Sequence, residues 1–143
     1  MTIPLLMATA AVAFAADRSL KVAVASRCQP NQRLVLAGVA LTHRRNRSAW
    51  LVASPPLRLV GEWLVLAGML IALLHAVPRA PSPGGAVAVG LLLGGTAGNA
   101  VDVWRHAAIV DVIDLGWWPV FNLADAAIVA GVVVGLLAAG GLL

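Results

Sequence analysis

The sequence predicts an all-α membrane protein: four transmembrane helices, with a small β-containing cap between the first and the second. Three observations carry that expectation. Of 143 residues, 61% are hydrophobic and only 11% charged, with a mean hydropathy of +0.93, whereas soluble domains carry about 25% charged residues. Apolar stretches long enough to cross a bilayer recur four times along the chain. Between the first two lies a polar, arginine-rich segment whose own apolar run, residues 34–42, is too short to span about 30 Å of hydrocarbon as a helix. The length fits a single domain over residues 1–143. A net charge of +4 does not point to nucleic acid, because the basic residues flank apolar spans and aromatic residues are few. The single cysteine, Cys28, rules out an internal disulfide and a cysteine-cluster metal site, and reads as a small packed side chain.

The first helix is expected over about residues 2–25, apolar except for Asp17, Arg18, Ser19 and Lys21. Ala13-Phe14-Ala15 resembles a signal cleavage site, but no basic residue precedes the apolar run and the following chain is itself apolar, so this is read as an uncleaved span. Asp17 and Lys21 stand four apart on one helix face and can pair, most simply as an interfacial ion pair with Lys21 snorkelling to the headgroups. The cap is expected over about 26–56: a polar stretch to Arg33, β-prone Leu34–Thr42, the basic cluster His43-Arg44-Arg45-Asn46-Arg47, and a closing Ser54-Pro55-Pro56. Its arginines suit anionic headgroups. The second helix, about 57–77, has Arg58 and Trp63 as anchors at its start, and its Glu62 and His75 lie close enough to the ends to face headgroups. Pro78–Gly85 is a turn-rich linker. The third helix is expected over about 86–104 and the fourth over about 118–143, with Trp104, Trp117 and Trp118 at the membrane surface between them. Four spans put both termini on one side. Counting arginines alone, seven on the cap side against Arg79 on the other, would place the cap in the cytoplasm.

The stretch Gly98–Asp125 holds four of the six acidic residues: Asp102, Asp111, Asp114 and Asp125. Ionisable groups in so apolar a setting cost several kcal/mol each unless they pair, face water or work. Asn99 and Asp102 are three apart, and Asn122 and Asp125 repeat that spacing, so each pair shares a helix face. The connection holding Asp111 and Asp114 can fold back over both helix ends and bring Asp111 to Asp125. Two carboxylates in one partly desolvated site do not both ionise easily; one becomes a neutral acid while the other stays an anionic base. Such a pair can activate water against an amide and protonate the leaving nitrogen, with Asn99 and Asn122 orienting carbonyls or carboxylates. The same residues also suit a proton or cation pathway between helices. A zinc site is weaker, since His106 is the only nearby imidazole. Residue types alone leave proteolysis and ion translocation level.

Five segments in order resemble the lipoprotein signal peptidase family, also called signal peptidase II. Gly98-Asn99-Ala100-Val101-Asp102 matches its G-N-x-x-D-R, and Ile109–Leu115 is similar to its V-V-D-F-I-D-F. Phe121–Ile128 matches F-N-x-A-D-x-A-I without a gap, Asp17–Lys21 is similar to D-Q-x-T-K, and Leu41–Trp50 partly follows L-T-x-x-x-N-x-G-A-A-F. The resemblance implies a membrane aspartic endopeptidase of the bacterial inner membrane. Its reaction removes the signal peptide from a prolipoprotein on the amino side of a cysteine already carrying diacylglycerol. It aligns Asp111 and Asp125 with a catalytic dyad, Asn46, Asn99, Asp102 and Asn122 with residues lining the active site, and Asp17 and Lys21 with the first-helix pair. It implies no metal and no organic cofactor, a monomer among membrane lipids, cytoplasmic termini, and a cap and active site on the extracytoplasmic side, against the arginine count. The chain departs from the pattern at Val103, where an arginine is expected and Arg105 is a possible substitute, at Arg18 for Gln, Leu20 for Thr, Ser48 for Gly, and Trp50 for a small residue. A lipoprotein-binding homologue without activity or with altered specificity, and a small proton-conducting protein using Asp102 and Asp125, are the alternatives.

Overall fold

The computed structural model describes residues 2–29, 32–36, 39–46 and 82–143. The expected second helix at 57–77 and the C-terminal part of the cap, with Arg47, Ser48 and Trp50, lie outside the described residues. The described part holds three helices, α1 (Thr2–Ala25), α2 (Pro83–His106) and α3 (Leu123–Ala139), and three strands, β1 (Arg33–Leu36), β2 (Val39–Asn46) and β3 (Ile109–Asp114).

Helix α2 is the centre of the bundle, packed against α1 on one side and α3 on the other. Its small residues make this possible. A Cβ on Gly94 would run into the Ala10 carbonyl oxygen of α1 and lie 2.8 Å from the Ala13 Cβ, and one on Gly95 would lie 2.5 Å from the Ala124 carbonyl oxygen of α3. Close backbone approach of this kind gives dispersion contacts that larger side chains would prevent, and it is how helices associate in lipid, where burial from water gives no drive. The faces turned away from these seams are apolar and bare: Ile3, Met7 and Val12 on α1, Val129, Val133 and Leu136 on α3. Soluble proteins rarely leave apolar surface of that extent uncovered. Helices α1 and α2, each of 24 residues, are long and apolar enough to cross a membrane.

The ends of the helices are set by local chemistry. Helix α2 begins at Pro83, before the expected residue 86, because the Ser82 hydroxyl accepts the Gly85 N–H at 3.0 Å and Pro83 occupies the first turn, where its missing N–H costs nothing. It stops where Ala107 takes a left-handed conformation (φ 48°) and donates its N–H to the Val103 carbonyl, turning the chain directly into β3. Helix α3 begins at Leu123 rather than 118. Phe121 is occupied in a bridge to Ile113, with N–H···O bonds in both directions of 3.0 and 2.8 Å, and Asn122 is the N-cap.

The three strands form an antiparallel sheet in the order β1-β2-β3. Residues 105–117 were expected as a simple connection; the β-branched run Ile109-Val110-Asp111-Val112-Ile113 instead pairs with β2, from Ala40 opposite Asp114 to Asn46 opposite Ile109. One side of the sheet rests on the C-terminal end of α1 through Val24, Cys28, Val110 and Val112. Arg33 holds Asp114 at 2.9 Å across the sheet.

Gly94→Ala is expected to cost about 1–3 kcal/mol through overpacking of the α1–α2 seam. Ala97→Leu, on the exposed face of the same helix, should be near neutral. Thermal unfolding of the two variants in detergent, read against wild type, checks both.

Candidate active site

Four elements bring their polar residues to one level, just below the sheet. Helix α1 supplies Asp17, Arg18 and Lys21; α2 supplies Asn99 and Asp102; β3 supplies Asp111; and α3 supplies Asn122 and Asp125. Strand β2 adds Asn46 from above.

The deepest part is a buried charge tetrad. Asp17 and Asp102 are fully buried and Lys21 almost so. The Lys21 Nζ lies 2.8 Å from Asp17 Oδ2 and 2.7 Å from Asp102 Oδ2. The Asp102 Oδ1 accepts from the Arg18 Nη1. Each carboxylate also takes one backbone N–H: Asp17 Oδ1 accepts from Ala124 of α3 at 3.0 Å, and Asp102 Oδ2 accepts from Val110 of β3 at 3.1 Å, while Asp17 Oδ2 has only its ion contact with Lys21. Two anions and two cations cancel, and each carboxylate keeps at least two partners, which is the condition for burying charge at tolerable cost. Gly98 is what lets Asp17 lie against α2, since a Cβ there would sit 2.8 Å from Asp17 Oδ2.

Above the tetrad stand Asp111 and Asp125, joined through Asn122. The Asn122 Oδ1 accepts the Asp125 N–H at 2.8 Å, and the Asp125 Oδ2 accepts the Asn122 N–H at 3.3 Å, a reciprocal capping box at the start of α3. The Asn122 Nδ2 donates to Asp111 Oδ1 at 3.1 Å, while Asn99 Nδ2 donates to Asp125 Oδ1 at 2.8 Å. One buried amide thus holds the two carboxylates in fixed relation. Burial pushes the Asp111 carboxyl up to about 6 from an ordinary 3.8, and the negative charge of Asp125 adds to the rise; hydrogen bonds from Asn46 and Asn122 and the charge of Lys21 oppose it. From Asp125 an apolar trough of about 490 Å³ runs along α3, lined by Trp118, Phe121, Val129 and Val133 among others.

Of the residues singled out in the sequence, Asp17, Lys21, Asn46, Asn99, Asp102, Asp111, Asn122 and Asp125 fall in this one network. Arg105 does not. It lies exposed on the last turn of α2, where a cation suits the helix C-terminus. Arg18, a departure from the motif in sequence, joins the network through Asp102, and its place between Asp17 and Lys21 is the signal in the sequence that points to it. Among the described residues, no group of three or more His, Cys, Asp or Glu side chains is arranged to hold a metal ion.

A profile of the family described as signal peptidase (SPase) II matches residues 9–140 and so takes in every residue of this network. The chain belongs to the signal peptidase II family. It is 38% identical over 105 residues to a lipoprotein signal peptidase of Syntrophomonas wolfei, covering 71% of this chain and 68% of that one. With the lipoprotein signal peptidase of Moorella thermoacetica it shares 33% identity, covering 87% and 85%, and with that of Mycobacterium avium 32%, covering 91% and 75%. Its fold is similar to a solved bacterial membrane enzyme, with a TM-score of 0.77 and 26% identity over 95% of this chain and 92% of the other. It is therefore a membrane peptidase by family.

A carboxyl held at about 6 rather than 3.8 costs folding roughly 1–3 kcal/mol once it ionises, the lower figure allowing for screening by solvent. Its folded-state value is raised, so the stability it supports is present at low pH and lost as the pH rises through about 6. Wild-type Tm is accordingly expected to fall between about pH 4 and 6 by more than that of Asp111→Asn, and the variant should be the more stable of the two above about pH 6. Parallel melts across that range check both statements.

Proposed function

We propose that this member of the signal peptidase II family is an aspartic endopeptidase that removes signal peptides from diacylglyceryl-modified prolipoproteins, on the amino side of the lipidated cysteine. The observation that carries the reading is the pair Asp111–Asp125: two carboxylates fixed to one asparagine, one lifted to about 6, above a pocket whose other charges already cancel. Asp111 serves as the acid in its neutral form, which it holds below about pH 6, and Asp125 serves as the base. Asp125 takes a proton from a water as its oxygen attacks the scissile carbonyl carbon, and Asp111 donates a hydrogen bond, then its proton, to the carbonyl oxygen. The tetrahedral intermediate collapses as the proton held on Asp125 passes to the departing amide nitrogen, and Asp111 recovers its own as the carbonyl re-forms. Asn99 holds Asp125 and Asn46 holds Asp111, so neither carboxylate has to reorganise during the step.

The apolar trough beginning at Asp125 is open along α3 and suits a substrate that arrives through the lipid with an apolar segment or acyl chain. The reading carries with it a bacterial inner-membrane location, four spans including 57–77, cytoplasmic termini, and the sheet and carboxylates on the extracytoplasmic side. Trp117 and Trp118, both exposed near Asp125 in sequence, are the kind of side chain that settles at a headgroup level.

Asp111→Asn and Asp125→Asn are each expected to lower cleavage of a diacylglyceryl-modified prolipoprotein by at least about 10³-fold. Substrate binding should survive in both; turnover within tenfold of wild type in either removes that residue from the chemistry. Because the acid must be protonated in the free enzyme, kcat/KM should fall as the pH rises above about 6. For orientation, Arg47→Cys in a Cys28→Ala background should be labelled by an impermeant maleimide in spheroplasts. Labelling only after lysis would put the cap in the cytoplasm.

A further inference from the structure

We propose that Arg18 is a positioning residue: its guanidinium closes the charge balance of the buried tetrad and orients Asp102, so that the strand carrying Asp111 is held in its working place. The inference rests on the reading that Asp111 and Asp125 perform the chemistry.

The argument starts from a charge count. Asp17 and Asp102 are fully buried, and Lys21 bridges both. Without a further cation the set would carry one negative charge inside an apolar bundle, directly beneath two more carboxylates. Arg18 is the only other cation among the described residues that reaches it. Its side chain is 19% exposed, so its cost of burial is lower than that of the other three. The sequence tells the same story from another side. Where the motif it resembles carries an arginine on the third helix, this chain has Val103, which is buried, and where that motif has a glutamine on the first helix, this chain has Arg18. A guanidinium is missing from α2 and one has been gained on α1, and the structure puts the gained one on Asp102.

The route from Arg18 to the reacting groups is short. With Oδ1 occupied by Arg18, Asp102 turns Oδ2 to Lys21 and to the backbone N–H of Val110, the residue next to Asp111. One turn earlier on the same helix, Asn99 holds Asp125. The groups that face Asp111 are Lys21 from α1, Asn46 from β2, and Asn122 and Asp125 from α3; Asp102 lies beyond Val110, and Arg44, its register partner on β2, is exposed. Removing Arg18 leaves Lys21 to neutralise two carboxylates, so the negative charge felt at Asp111 grows and its ionisation becomes harder.

The test reads Asp111 directly. Infrared difference spectra of the purified protein in detergent give the carboxylic-acid carbonyl band that Asp111→Asn removes, and its loss with rising pH is the titration of that group. In Arg18→Gln the midpoint is expected to move up by about one pH unit, the size of one charge at this range under partial screening. Arg18→Lys should bring it most of the way back. Arg18→Gln combined with Asp102→Asn removes one charge of each sign and should return it to the wild-type position, which a merely structural role for Arg18 would not do. In cleavage assays the falling limb of kcat/KM should move by the same amount, with kcat lowered more than KM is raised. A folded Arg18→Gln whose Asp111 titrates where wild type does overturns the proposal, as does a double variant that stays shifted. Should Arg18→Gln alone not fold, the double variant against Asp102→Asn alone decides by the same midpoint. The infrared midpoint needs no turnover, so a wild type that fails to cleave would refute the proposed function and leave this result standing.

Discussion

The structure depends on a solution to one problem, which is how to bury two carboxylates inside an apolar bundle. Asp17 and Asp102 are held by Lys21 and Arg18 and by two backbone N–H groups taken from α3 and β3. Together these contacts join three pairs of elements, α1 to α2, α1 to α3 and α2 to β3. Asp17 caps toward α3 from α1, Asp102 ties α2 to β3, and Lys21 sits at the crossing. The apolar seams bring the helices together but do not by themselves fix their heights, because Ala, Val and Gly contacts tolerate sliding. The charged bonds do, since a shift by one turn would strand a buried ion at a cost of several kcal/mol. Specificity of register is thus a property of the polar level of the bundle, and stability in lipid a property of the small-residue seams.

Asn122 carries a similar double load on the other half of the site. It is the N-cap that starts α3, and the same side chain links the two carboxylates above it. The start of a helix and the spacing of the two carboxylates are therefore one piece of structure. That is economical, but it also means that the pair is only as well placed as the cap. The bridge between Phe121 and Ile113 immediately before it, closed by two backbone bonds, holds the cap against the sheet. The two carboxylates stand on β3 and the first turn of α3, and the apolar trough runs from Asp125 along α3.

Much of this was legible in the sequence, for a physical reason. In a chain so poor in charge, each Asp or Asn within an apolar run stands out, and three- and four-residue spacings assign faces: Asp17 with Lys21, Asn99 with Asp102, Asn122 with Asp125. What was not legible came from contacts between distant segments. The run 109–114 read as a connection because its partner strand lies some seventy residues earlier and pairing leaves no local mark. The late start of α3 followed from the Phe121 bridge, again a tertiary bond overriding an apolar pattern. Arg18 went unread as a site residue because an arginine near a helix end looks like an interfacial anchor, and only Asp102 on another helix shows otherwise.

The partners of the tetrad stand far apart along the chain. Arg18 finds its carboxylate 84 residues downstream. Taken alone, α1 sets Arg18 and Lys21 against Asp17, one positive charge in excess, and the balance closes only with Asp102 on α2. Neutrality at this level is therefore a property of the assembled helices and of none of them singly.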